Sequence, residues 1–318
     1  MAADLLLLPP VFAITFAAVV GACVGSFLNV CITRWPSLQS VVSPPSRCPR
    51  CGAGIKAWQN IPVVSWLLLR GRCAGCALPI SPMYPLVELA CGVIAAAFVA
   101  ALGLTWDALA GITFAIILLG IAVTDAREMI IPDEFSLGGT VLGFALMALV
   151  RDLGALALPT ALSIGTALAY LGFEGTLDIG EPGVRRRPGL IALALAVAIG
   201  GNVLVPALLP ITIAAVFGFG SLWLVGVIGS AIAKREAMGR GDLKLMLMVG
   251  TFTSISGVLL TVLLGAGIGT LVYLPVAMLR RERNMELPFG VFLAPAALIA
   301  YLAGNQLIDW YLRISGLA

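Results

Sequence analysis

Ile116-Ile117-Leu118-Leu119-Gly120-Ile121-Ala122-Val123-Thr124-Asp125 is an apolar run that closes on a carboxylate. Together with residues 107–115 it approaches the length of about 20 residues that a helix needs to cross a bilayer. The rest of the chain has the same character. Of its 318 residues, 60% are hydrophobic and 11% charged, too few polar groups to cover a soluble domain of that length. The expected fold class is therefore an all-α polytopic membrane protein. Histidine is absent, which excludes Ser-His-Asp triads, Cys-His dyads, His-ligated zinc and haem with a histidine ligand.

Working outward from that run, residues 5–30 form the first apolar segment. Asp4 precedes it, no basic residue does, and no clear cleavage site follows, so it reads as a transmembrane helix rather than a signal peptide. Residues 34–83 carry Arg34, Arg47, Arg50, Lys56, Arg70 and Arg72 and no Asp or Glu. The positive-inside rule places them in the cytoplasm. From that anchor residues 84–103 lead out, 107–124 return, and 135–150 lead out again. Asp125 then stands at the cytoplasmic end of its helix. Residues 154–172 and 190–208 read as a weaker pair of spans with Arg185, Arg186 and Arg187 between them. Residues 211–233 return to Lys234, Arg235 and Arg240. Residues 243–279 are too long for one helix and are interrupted at Gly250-Thr251-Phe252-Thr253-Ser254. A short helix and a full one are expected, reaching Arg280, Arg281 and Arg283, and a last span covers 288–303. The total is about 8–10 transmembrane helices, each basic cluster falling on the cytoplasmic side.

Four of the seven cysteines form two Cys-x-x-Cys pairs, Cys48-Pro49-Arg50-Cys51 and Cys73-Ala74-Gly75-Cys76. Two such knuckles at this spacing match a closed, structural zinc site in a small zinc-ribbon-like domain. A reducing cytoplasm argues against the alternative of two disulfides. Cys23, Cys31 and Cys91 lie in apolar runs and read as small packing residues.

Three acidic residues lie within or at the edge of apolar spans: Glu88, Asp125 and Asp242. Ionisable groups at membrane depth are costly and mark function. Asp242 follows Gly239-Arg240-Gly241, where glycines loosen the backbone beside the carboxylate and admit an extended substrate. The topology puts Asp125 and Asp242 at one membrane face. Two carboxylates sharing a site hold one proton between them, and such a dyad activates water against a peptide carbonyl and protonates the leaving amine.

Gly239-Arg240-Gly241-Asp242-Leu243-Lys244-Leu245 resembles the Gly-x-Gly-Asp-x-Lys-Leu motif of type IV prepilin peptidases. Asp125 with Ile131-Pro132-Asp133 is similar to the region of that family's first catalytic aspartate. Gly25-Ser26-Phe27-Leu28-Asn29-Val30 with Arg34 and Pro36 resembles its first-helix signature. Ser46-Arg47-Cys48-Pro49 with Cys51, Asn60-Ile61-Pro62 with Ser65, Gly71 with Cys73 and Cys76, and Tyr84-Pro85-Leu86-Val87-Glu88 resemble its cytoplasmic zinc domain. Pro288-Phe289-Gly290 matches the motif that opens its last helix.

The resemblance implies an aspartyl peptidase and N-methyltransferase of the bacterial inner (cytoplasmic) membrane, its active site facing the cytoplasm. It would cleave the basic leader of type IV prepilins or type II secretion pseudopilins after a glycine. It would then methylate the new N-terminus with S-adenosylmethionine. Asp125 and Asp242 would carry proteolysis, with Gly239, Gly241, Lys244, Pro288, Phe289 and Gly290 around them. Cys48, Cys51, Cys73 and Cys76 would hold structural zinc in a domain tied to methyl transfer. Membrane lipid is an expected partner and nucleic acid is not.

Glu128, Asp133 and Glu134, in the loop after Asp125, are candidate contacts for a basic leader, against the alternative of a solvated loop. Glu88 would pair with Arg34 or Arg72, or bind the amine to be methylated; Gly71 is the other candidate methyltransferase residue. Two departures from the family pattern stand out. Residues near 154–208 form an unusual insertion, and Val291 stands where proline is common, a change expected to be tolerated. The expected domains are residues 1–33 as first transmembrane helix, 34–83 as zinc domain and 84–318 as peptidase domain. The alternatives are an ion- or proton-coupled transporter using Glu88, Asp125 and Asp242, a presenilin-like peptidase acting on other segments, and a scaffold that has lost catalysis.

Overall fold

A computed structural model describes residues 9–176, 187–234, 238–280 and 288–316. Arg185, Arg186, Arg235, Arg281 and Arg283, which helped set the expected topology, lie outside the described residues. Those residues hold eleven α-helices, three short 3₁₀ turns and no strand beyond two isolated bridges. The chain divides into two compact units, Met1–Ile116 and Ile117–Ala318.

The first unit contains α1 (Pro10–Arg34), α2 (Val64–Leu68), α3 (Met83–Leu102) and the start of α4 (Trp106–Glu128). Pro10 opens α1, where its missing N–H would have had no helical partner. Helices α1 and α3 pair backbone to backbone through glycines. A methyl group added at Gly21 would lie 2.6 Å from the Cys91 carbonyl oxygen, and one at Gly25 2.7 Å from the Glu88 Cα. Small residues four apart permit such approach, and in lipid close packing replaces the hydrophobic effect as the force between helices.

The second unit contains the rest of α4, α5 (Asp133–Val150), α6 (Ala157–Gly175), α7 (Pro188–Leu204), α8 (Leu209–Ala233), α9 (Arg240–Phe252), α10 (Ile255–Arg280) and α11 (Gly290–Ser315). Helix α9 is its centre: every residue from Asp242 to Phe252 is buried. It packs on α5 and α8. Gly218 of α8 sits against the Met246 carbonyl and Gly250 of α9 against the Ala214 carbonyl, leaving no room for a side chain at either place. The break foreseen between 250 and 254 falls after Phe252. Ser254 restarts the chain, its Oγ accepting the Gly257 N–H at 3.3 Å as an N-cap does.

The segment near 154–208 folds as α6 and α7. Ile164, Leu168, Ala194 and Ala198 join Phe144 of α5 and Ile211 of α8 in one apolar cluster. Among the described residues seven helices are long and apolar enough to cross a membrane: α1, α3, α4, α5, α8, α10 and α11. The remainder of the expected 8–10 falls on α6, on the 17-residue α7 and on α9, whose 13 residues are too few to cross. The chain is an all-α, multi-pass membrane protein.

Candidate active site

Asp125 lies in the last turns of α4 and Asp242 in the first turn of α9, both buried and both in the second unit. They lie within each other's electrostatic reach. Each carboxylate is held by backbone. Gly239 is the N-cap of α9, and its N–H donates to the Asp242 carboxylate, the second half of a capping box. Asp125 Oδ2 accepts the Val291 N–H at 3.0 Å, with the Gly290 N–H also directed at this carboxylate. These are amides of the α11 N-terminus, outside the helical ladder; that of Val291 also approaches the Pro288 carbonyl at 3.3 Å. A side chain at Gly290 would meet Asp125 Oδ2 at 2.8 Å. The Pro288-Phe289-Gly290 turn is thus the wall against which Asp125 rests.

Ile131 joins these parts. Methyl groups added at Gly241 and at Gly290 would each lie 2.9 Å from its side chain. One side chain of the α4–α5 turn therefore touches the start of α9 and the start of α11. Sequence reasoning named Gly241 and Gly290 but missed the roles of Ile131 and the Val291 amide. An apolar loop residue and a backbone N–H carry no signature.

In the same turn Glu128 and Glu134 are exposed. Asp133 is engaged otherwise: both its oxygens accept from Lys244 Nζ, at 2.7 and 2.9 Å. The ammonium also sits 5.4 Å from the Phe173 ring centroid of α6, in cation–π range. Lys244 is only 9% exposed.

In the first unit, each Cys-x-x-Cys forms a knuckle with the same hydrogen bonds. The Cys48 N–H donates to the Ala53 carbonyl and the Gly52 N–H to the Cys48 carbonyl; Cys73, Leu78 and Ala77 repeat the pattern. Gly52 (φ 71°) and Ala77 (φ 56°) take the same left-handed position. All four sulfurs lie within 4.8 Å of one another, with Cys48 and Cys76 3.9 Å apart. A tetrahedral ion with Zn–S bonds of about 2.3 Å sets its sulfurs roughly 3.8 Å apart, so the cluster fits that geometry. The amides of Cys51 and Arg50 pull the Cys48 thiol down to about 6. Those of Cys76 and Gly75 lower Cys73. Cys76 accepts from the Leu78 amide, but desolvation and its three thiol neighbours push it up to about 11. Amides favour thiolates here and crowding opposes the last one, a conflict that a divalent cation resolves.

Among the described residues Glu88 pairs with neither Arg34 nor Arg72. Its Oε2 accepts the Val63 N–H at 2.7 Å, while Arg34 donates to the Ser40 and Pro44 carbonyls. One turn earlier, Asn29 of α1 donates to the Tyr84 carbonyl at 3.0 Å. Glu88 and Asn29 thus tie the polar segment and the start of α3 to the α1–α3 pair. Gly71 has φ 65°, and its backbone packs under Trp66, whose ring a side chain there would meet at 2.8 Å. That contact accounts for a glycine at this place.

Residues 19–102 match the bacterial peptidase A24 N-terminal domain and residues 177–274 the type IV leader peptidase family. The second match contains Asp242; Asp125 lies between the two. Three similar proteins are each named a prepilin leader peptidase/N-methyltransferase. That of Pseudomonas aeruginosa is 30% identical, over 98% of either chain. That of Stutzerimonas stutzeri is 30% identical over 97% of this chain and 96% of its own. That of Myxococcus xanthus is 35% identical over 88% of this chain and 70% of its own. No solved structure matches. These names give the transporter reading no support. Near-complete coverage at this identity decides the matter: the chain belongs to the type IV leader peptidase family.

Proposed function

We propose that the chain is a prepilin leader peptidase and N-methyltransferase of the bacterial inner membrane, with Asp125 and Asp242 as its catalytic dyad. The observation that carries this reading is the convergence of the two carboxylates from α4 and α9. Backbone amides of Val291 and Gly290 approach one carboxylate and that of Gly239 the other. One carboxyl, protonated, hydrogen-bonds the scissile carbonyl of the substrate. The other takes a proton from water, which attacks the carbonyl carbon. Collapse of the tetrahedral intermediate breaks the C–N bond, and the acid's proton goes to the leaving amine. The pair titrates as a unit, so neither aspartate alone is assigned acid or base.

The substrate is a prepilin or pseudopilin, a basic leader joined through glycine to a hydrophobic helix. That helix lies among the apolar spans while the junction meets the dyad at the cytoplasmic face. Glu128 and Glu134, exposed beside Asp125, are the leader contacts. Asp133, engaged by Lys244, leaves that set. In the second activity S-adenosylmethionine is a co-substrate: its methyl group passes from sulfur to the new N-terminal amine, which loses a proton. Cys48, Cys51, Cys73 and Cys76 would hold a structural zinc ion, supplying a cross-link to a segment with little core of its own.

Mass spectrometry of a co-expressed prepilin tests both activities. Loss of the leader and gain of one methyl group are expected. Asp125→Asn and Asp242→Asn should each leave the prepilin uncut, and continued cleavage by either would sink the dyad. Charge reversal at Glu128 and Glu134 should raise KM for basic-leader substrates.

A further inference from the structure

Asp242 and Lys244 are two residues apart on α9. At about 100° per residue their side chains leave the helix on nearly opposite faces. Asp242 is held at the α9 start near Asp125, whereas Lys244 reaches Asp133 at the first turn of α5 and lies against Phe173 of α6. The ion pair has two short hydrogen bonds, 2.7 and 2.9 Å, and a lysine that is 9% exposed. The Asp133 side chain keeps 39% of its surface exposed, so the cost of burial falls on the lysine, and an apolar residue of the same volume at 244 would stabilise the fold as well or better. What apolar residues would not supply is direction: two oxygens and one ammonium fix how far α9 can slide or rotate against α5. Asp133 is only eight residues beyond Asp125 and opens α5 two residues after Ile131, which touches both Gly241 and Gly290. A constraint at Asp133 is therefore a constraint on the turn leading directly to the first aspartate.

We propose that the Lys244–Asp133 pair, backed by Phe173, is a positioning device that clamps α9 to the α4–α5 turn and thereby sets the separation of Asp242 from Asp125. Neither residue touches the reacting atoms. The clamp also gives α6, part of the unusual 154–208 segment, a place in the peptidase machinery through the aromatic face behind the ammonium. The proposal rests on the dyad reading above.

The test uses the full chain in detergent, with kcat and KM for prepilin cleavage and, separately, methyl transfer to a pilin peptide that already lacks its leader. Lys244→Ala and Asp133→Asn should lower kcat by about 100-fold, the scale set by a misplacement of about 1 Å. KM and methyl transfer should hold. Lys244→Arg, which keeps two-oxygen pairing, should recover most of the rate. The exchange of Lys244→Asp with Asp133→Lys should exceed either of its single changes. Unchanged kcat in Lys244→Ala would overturn the clamp. So would a rise in KM alone, which would make the pair a substrate contact. So would a parallel loss of cleavage and methyl transfer, which would make it a general fold element. Failure of the unaltered chain to cleave is a different result and would strike the dyad reading itself.

Discussion

Val291 donates its backbone N–H to Asp125 at 3.0 Å, whereas proline, which the family resemblance leads one to expect at this place, has no N–H to give. As the second residue of α11 it would accept proline without disturbing the helix. Val291→Pro therefore removes this donor, and with it the longer 3.3 Å contact to the Pro288 carbonyl, while Val291→Ala keeps both. A hydrogen bond to a charged group is worth about 1.5 kcal/mol at the low end, roughly 10-fold in rate. Val291→Pro should lower kcat for cleavage by that factor with KM unchanged, and Val291→Ala should match the parent. Equal rates would show the amide to be idle and would fit the expectation that valine in place of proline is tolerated. The same residues mark how far the site was legible. Asp125 and Asp242 stand out because a carboxylate in an apolar run is rare and costly. The four cysteines stand out by spacing. What sequence could not show is which acid near the dyad was free: Asp133 looked like Glu128 and Glu134 until Lys244 was placed on it.

At the scale of elements, α9 explains why the second aspartate is so firmly placed. It is short and wrapped by α5 and α8, and it meets α8 where Gly218 faces the Met246 carbonyl and Gly250 faces the Ala214 carbonyl. Any side chain there forces two backbones apart. Gly218→Val or Gly250→Val should cost about 1–3 kcal/mol by overpacking and lower the melting temperature in detergent. Cleavage should fall because α9 moves with Asp242. Gly138, with open space around it, is the control: Gly138→Ala should melt as the parent does. An unchanged Tm in both valine variants would refute the close contact. Much of this element order was legible. Apolar length marks each span, and the Gly-Thr-Phe-Thr-Ser stretch marks the α9–α10 break. Residues 154–208 were legible as two helices, α6 and α7, but their packing was not. α7 is strongly apolar but only 17 residues long, and apolar length alone does not say that Ile164, Leu168 and Ala198 face α5 and α8 rather than lipid.

For the molecule as a whole, the division into two units predicts two activities that can be lost separately. Between α1 and α3, in residues 35–82, only Ser65 and Gly71 are buried. A segment of that length with no apolar core cannot hold its shape by burial. Its order comes from cross-links such as the two knuckles and the Glu88–Val63 hydrogen bond, to which the four sulfurs would add another on holding an ion. A bound zinc ion is worth about 10 kcal/mol or more to a domain of this kind. The helices of the second unit, by contrast, depend on packing that no chelator touches. Stripping the metal with a strong zinc chelator, or replacing Cys48 and Cys76 by serine, should empty the site of zinc as read by elemental analysis. Methyl transfer to a leader-less pilin peptide should then collapse, and prepilin cleavage should persist within a few-fold. Re-addition of zinc should restore methyl transfer after chelation but not after the serine exchange. If cleavage is lost in step with zinc, the sulfur cluster supports the dyad as well, and the two activities share one structural dependence.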